Sequence, residues 1–129
     1  MDFRDRNRRG VKRLLAAFAF ALQGVRDVVT HEKNMQLHLI IAAAVLALAG
    51  LLRLPLLHWV LLLLVIAGVF ALEMMNTAVE RVVDLCTEEF HPLAKRAKDI
   101  AAGAVFTYCL FAVVIGIILF LPPILRLLK

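Results

Sequence analysis

Apolar positions fall into three long runs, and the polar positions gather mostly at their ends. Leu37–Leu52, Leu56–Ala71 and Ile100–Leu121 contain no Asp, Glu, Lys or Arg. A helix that crosses a bilayer needs about 20 apolar residues. With their flanks, these runs predict membrane spans at about 37–53, 56–75 and 99–121. The first is slightly short and can extend backwards through Asn34, Met35 and Gln36. Arg53-Leu-Pro55 predicts a turn, residues 86–97 a polar connection, and Pro122-Pro123 the end of the third span. Ahead of the spans the period changes. Val11, Leu14, Leu15, Phe18, Leu22, Val25 and Val29 form an approximate helical stripe with polar neighbours, which predicts an amphipathic helix on the membrane surface, broken near Gly24. The expected fold is an all-α membrane protein: a single domain over residues 1–129, with residues 1–36 as cytoplasmic or surface helix and three transmembrane helices.

The second run ends in an unusual way. Glu73, Asn76, Glu80 and Asp84 stand at offsets 0, 3, 7 and 11. At about 3.6 residues per turn they share a stripe roughly 80° wide, with Thr77 on its border. Three carboxylates and an amide along the end of a membrane helix need a cation, a partner or a chemical task.

Composition agrees with a membrane protein: 63% of the 129 residues are hydrophobic, against about 45–50% in soluble domains. The net charge of +5 matters less than its placement. Lys and Arg are concentrated in residues 1–36 and in the connection after the second span, where Arg81, Lys95, Arg96 and Lys98 lie. The first turn has only Arg53, and the tail has Arg126 and Lys129. Twelve basic residues against three put the N-terminus and acidic stripe in the cytoplasm and the C-terminus outside. The basic N-terminal segment fits a membrane surface rather than nucleic acid, and the start does not read as a secretory signal. Cys86 and Cys109 have no zinc-type partners and read as free packing thiols. Ala97, Ala101, Ala102, Gly103 and Ala104 supply small residues for close helix packing.

Other polar groups fall at the same depth as the stripe. Glu32 and Asn34 precede the first span, and Lys98 and Asp99 begin the third. Carboxylates there could hold Mg²⁺, a hard cation that pairs with phosphates, and a lysine could offset phosphate charge. These are components of phosphoryl transfer. No phosphate-binding G-x-x-x-x-G-K-[ST] loop or kinase glycine loop is present. From the residues alone, a phosphotransferase, a cation transporter or channel subunit and a structural membrane protein all remain open.

The stretch Glu73-Met-Met-Asn-Thr-Ala-Val-Glu-Arg-Val-Val-Asp84 resembles the signature E-x-x-N-[ST]-A-x-E-x-x-x-D of the bacterial integral-membrane diacylglycerol kinase family. The likeness continues through His91-Pro-Leu-Ala-Lys-Arg-Ala-Lys-Asp99 and includes Glu32. Glu32-Lys-Asn34, His38 and His91-Pro-Leu-Ala look most like the undecaprenol kinase branch. The resemblance implies a homotrimer in the bacterial inner membrane, with cytoplasmic sites combining neighbouring subunits. It implies Mg²⁺ and ATP, a membrane lipid alcohol as acceptor (undecaprenol, or alternatively diacylglycerol), and no nucleic-acid partner. Carried over by position, Glu73 would contact the lipid and serve as general base, and Asn76 would orient the transferred group. Glu32 and Glu80 would ligate Mg²⁺ beside ATP. Arg13, Phe20, Glu89, Phe90, His91, Lys98 and Asp99 would contact or border the nucleotide. Phe20 departs from a family tyrosine and lacks its hydroxyl.

Overall fold

The computed structural model describes residues 10–87 and 89–128. The described residues form four helices: α1 (Val11–His31), α2 (Lys33–Leu51), α3 (Leu56–Cys86) and α4 (Pro92–Leu127). The last three are long and apolar enough to cross a membrane. At 1.5 Å per residue α3 and α4 are about 46 and 54 Å long, so both outrun a hydrocarbon core of about 30 Å. Their excess length carries the polar residues at one end of the bundle.

The spans meet along narrow seams. Met35, Ala42 and Ala49 are buried on α2, Leu62, Val69 and Asn76 on α3, and Val105 and Leu119 on α4, at intervals of 7 or 14 residues. A seven-residue spacing keeps one edge of each helix on its neighbour at a shallow crossing angle. At the end opposite the polar stripe, Ala49, Leu54, Leu62, Leu119 and Phe120 form an apolar cluster, with Val45, Leu52, Trp59 and Ile115 packed against it. Trp59, a residue type suited to the membrane interface, is half-buried there. In mid-span the Tyr108 ring lies over Gly68, where a β-carbon would collide with the phenol. The Tyr108 hydroxyl donates to the Leu64 carbonyl at 3.4 Å.

The α2–α3 turn closes as a Schellman motif. The Arg53 N–H donates to Gly50 O at 3.1 Å, and the Leu54 N–H to Ala49 O at 3.1 Å. Arg53 holds the left-handed position with φ 49°, where glycine is usual. Leu54, two residues past the cap residue Leu52, is drawn into the apolar cluster beside Ala49.

Three boundaries differ from expectation. Helix α1 runs through Gly24 without a break. A helical glycine costs only about 1 kcal/mol, and neither Pro nor a competing cap lies nearby. The break comes instead at Glu32, whose extended backbone (φ −97°, ψ 114°) separates α1 from α2. The polar connection contracts to residues 87–91, because Pro92 starts α4 rather than ending a helix. Its missing N–H costs nothing at the first helical position, and the His91 Nδ1 accepts from the Leu93 N–H at 3.2 Å. At the far end, Pro122 and Pro123 lie inside α4, which continues to Leu127. Their fixed φ is close to helical, and the N–H groups they lack fall in the last two turns.

Helix α1 stands apart from this packing. Val28 is its one buried residue, while Leu14, Leu15, Phe18 and Leu22 are exposed. An uncovered apolar stripe on a helix beside a membrane bundle fits the lipid interface.

Candidate functional site

Glu73, Asn76 and Thr77 are 3%, 6% and 4% exposed, and they are the buried polar residues of the described chain. They lie on the face of α3 that continues its packing seam, so the inner part of the stripe is not a solvated surface, whereas Asp84 at its outer end is exposed. Asn76 Nδ2 donates to Glu80 Oε1 at 3.0 Å. Its Oδ1 is buried and has no partner among the described residues. A buried amide oxygen without a donor is costly, and it leaves an acceptor ready for an incoming group.

Farther along α3 the side chains form ion pairs with other elements. Arg81 Nη2 donates to Glu32 Oε1 at 2.8 Å, and Arg81 Nη1 donates to Asp27 Oδ2. The Arg81 guanidinium holds the Asp27 carboxyl below the usual carboxylate range. Lys98 of α4 pairs with Asp84 at 2.5 Å; within α4 itself, Lys95 pairs with Asp99 at 2.5 Å.

Beyond the stripe is an open cleft of about 420 Å³, lined by Asp84, Thr87, Glu89, Phe90, His91, Lys95 and Lys98 among others. Thr87 shapes its loop: its hydroxyl donates to Glu89 O at 3.1 Å and accepts from the Glu89 N–H at 3.2 Å. Phe90 is 80% exposed, an uncovered ring beside two lysines. The cleft therefore offers an aromatic face and two lysines, each now paired with a carboxylate that an incoming phosphate could replace.

Of the residues singled out from sequence, Glu89, Phe90, His91 and Lys98 come together in this cleft. Glu73, Asn76 and Glu80 follow one another along α3 towards it. Asp99 is turned onto Lys95. Arg13, exposed, and Phe20, half-buried, lie on α1 and do not line the cleft. Glu32 reaches α3 through Arg81. Sequence reasoning used Arg81 only for its charge. The available signal was a lone cation within the acidic segment, directly after Glu80.

Among the described residues, no group of three or more His, Cys, Asp or Glu side chains could hold a metal ion. Mg²⁺ does not need such a group, because it is commonly held through one or two carboxylates and the substrate phosphates. Glu32 and Glu80, both half-buried with one oxygen hydrogen-bonded, fit that role.

Comparison with known proteins gives a consistent result. The prokaryotic diacylglycerol kinase family matches residues 19–120. An undecaprenol kinase from Bacillus subtilis is 41% identical over 124 residues, covering 96% of this chain and 100% of the relative. A diacylglycerol kinase from Synechocystis is 42% identical over 115 residues, 88% of this chain and 66% of the relative. The Escherichia coli K12 diacylglycerol kinase is 29% identical over 113 residues, 88% of this chain and 93% of the relative.

Proposed function

The chain belongs to the prokaryotic diacylglycerol kinase family and is a lipid kinase, and on that premise we propose that it phosphorylates undecaprenol, using ATP and Mg²⁺ at the cytoplasmic face of the bacterial inner membrane. The acceptor reading is supported by the undecaprenol kinase relative, which matches end to end. Diacylglycerol is the alternative, since the other relatives carry that name at comparable or lower identity.

The observation that carries the mechanism is the burial of Glu73. At 3% exposure it is the innermost carboxylate of the stripe, where a lipid hydroxyl entering sideways from the bilayer would meet it. Glu73 takes the hydroxyl proton as the lipid oxygen bonds to the γ-phosphorus, and the bond from that phosphorus to the β-phosphate bridging oxygen breaks to release ADP. Asn76, three residues on, offers its free Oδ1 to orient the reacting groups. Glu32 and Glu80 would hold the metal, which when bound neutralises phosphate charge. Lys98 sits where it can exchange Asp84 for a phosphate. Glu73 lies eleven residues before Asp84, about 16 Å along the helix. A nucleotide with its base in the cleft and its phosphates laid along α3 spans that interval.

Assembly follows the same reading. Arg13 and Phe20 do not line their own chain's cleft, so in a homotrimer with shared sites they would serve a neighbour. The test is purified protein in lipid with labelled ATP, offered undecaprenol and diacylglycerol separately. Label in undecaprenyl phosphate is expected. Label in phosphatidate alone would assign the other acceptor, and cation flux without label transfer would point to a transporter.

A further inference from the structure

Arg81 is the basic residue of the acidic segment, on the edge of α3 beside the stripe. It follows Glu80 in α3, and its guanidinium forks across two carboxylates far away in sequence: Asp27 in the next-to-last turn of α1, and Glu32 between α1 and α2. Glu32 has extended backbone, so no helix of its own directs its side chain. Its side chain is 31% exposed and remains accessible to a ligand. The planar two-armed fork of an arginine fixes carboxylate direction as well as distance.

The two carboxylates read as Mg²⁺ ligands are supported in parallel ways. Asn76 donates to Glu80 Oε1, and Arg81 donates to Glu32 Oε1. Among the described residues, neither Oε2 has a hydrogen bond. Each carboxylate is thus held through one oxygen by an α3 side chain and leaves the other oxygen open. Partners behind a ligand commonly orient it this way and tune its affinity.

We propose that Arg81 is a positioning residue for the metal: by holding Glu32 Oε1 it keeps that carboxylate at the level of Glu80, so that the two open oxygens serve one divalent cation. The inference rests on the reading of Glu32 and Glu80 as Mg²⁺ ligands. A clamp that only secured α1 would act on folding or assembly and leave metal dependence unmoved. Arg81 also offsets one of the charges that Asp27 and Glu32 bring together.

The experiment uses the full purified chain with a non-hydrolysable ATP analogue and titrates Mn²⁺, reading free Mn²⁺ by electron paramagnetic resonance. Mg²⁺ half-saturation and kcat are measured alongside. Glu32→Gln is expected to weaken Mn²⁺ binding. Arg81→Gln is expected to weaken it by about tenfold and to raise Mg²⁺ half-saturation more than it lowers kcat at saturating Mg²⁺. Arg81→Lys, which keeps the charge and loses the fork, should fall between Arg81→Gln and the native chain. If Glu32→Gln weakens binding and Arg81→Gln does not, the role of Arg81 is overturned and the ligand reading stands. If neither variant changes binding, Glu32 is not a ligand and both readings fall. Tighter Mn²⁺ binding in Arg81→Gln also overturns the proposal, because the guanidinium would then be a competitor. Should Arg81→Gln not fold, Arg81→Lys decides: intermediate binding supports the role, and native affinity overturns it.

Discussion

The two ends of this bundle are built from different materials. At one end Ala49, Leu54, Leu62, Leu119 and Phe120 close an apolar cluster behind a short hydrogen-bonded turn. At the other, Glu73, Asn76 and Thr77 are as deeply buried but polar, and beyond them the helices are joined by Arg81, Lys98 and their carboxylates. In lipid, apolar burial brings little hydrophobic gain, so the first end depends on close packing. The second end buries groups that packing alone would not select. A buried carboxylate and an unpartnered amide oxygen oppose folding, and chemistry supplies a reason for them. On the proposed mechanism, one end holds the spans in register, and the other would use that register to align acceptor, phosphates and metal along a single helix.

The comparison can be broken from either side. Leu62→Ala should produce the largest change in stability, about 2 kcal/mol, at the low end for a buried leucine because lipid can replace part of the lost contact. Unfolding in mixed micelles measures the loss, and turnover per folded protein should be largely kept. A selective loss of turnover without a stability change would show that the apolar end takes part in catalysis. Glu80→Gln, which keeps an acceptor for the buried Asn76 amide, should do the opposite, raising the Mg²⁺ half-saturation by at least about tenfold with little effect on unfolding. An unchanged Mg²⁺ titration would remove Glu80 from the metal site.

The smallest expected effect concerns pH. Arg81 lowers the Asp27 pKa, so the Asp27 contribution to the clamp is fully present above the ordinary carboxylate range. It is lost as pH falls through the lowered folded value. Spin-label distances between α1 and α3 should therefore stay constant from pH 8 to 5. A change between pH 7 and 6 would mean that a group other than Asp27 controls the contact.

The spans were legible because three charge-free runs have few alternatives, and the stripe because a 3.6-residue period places Glu73, Asn76, Glu80 and Asp84 together. The helix limits were less legible. Gly24 and Pro122 are breakers by local preference, but a continuous helix tolerates one glycine and a terminal proline pair. Pro92 too is a breaker by local preference, yet it starts a helix, because His91 caps the turn before it. The cleft side chains Glu89, Phe90, His91 and Lys98 were named through family likeness. Their convergence depends on the tight 87–91 connection, and periodicity does not show such a connection. The Arg81 clamp joins residues 49 and 54 positions apart, a separation that no helical repeat reveals.

The most direct test is the rate of phosphoryl transfer from ATP to undecaprenol in Glu73→Gln. The amide keeps the size and polarity of the side chain but cannot take the hydroxyl proton. Turnover is expected to fall by at least about 10²-fold, the low end for a general base, in protein that remains folded and still binds nucleotide. Near-native turnover in that variant would contradict the assignment of Glu73 as the base and, with it, the division of labour between the two ends.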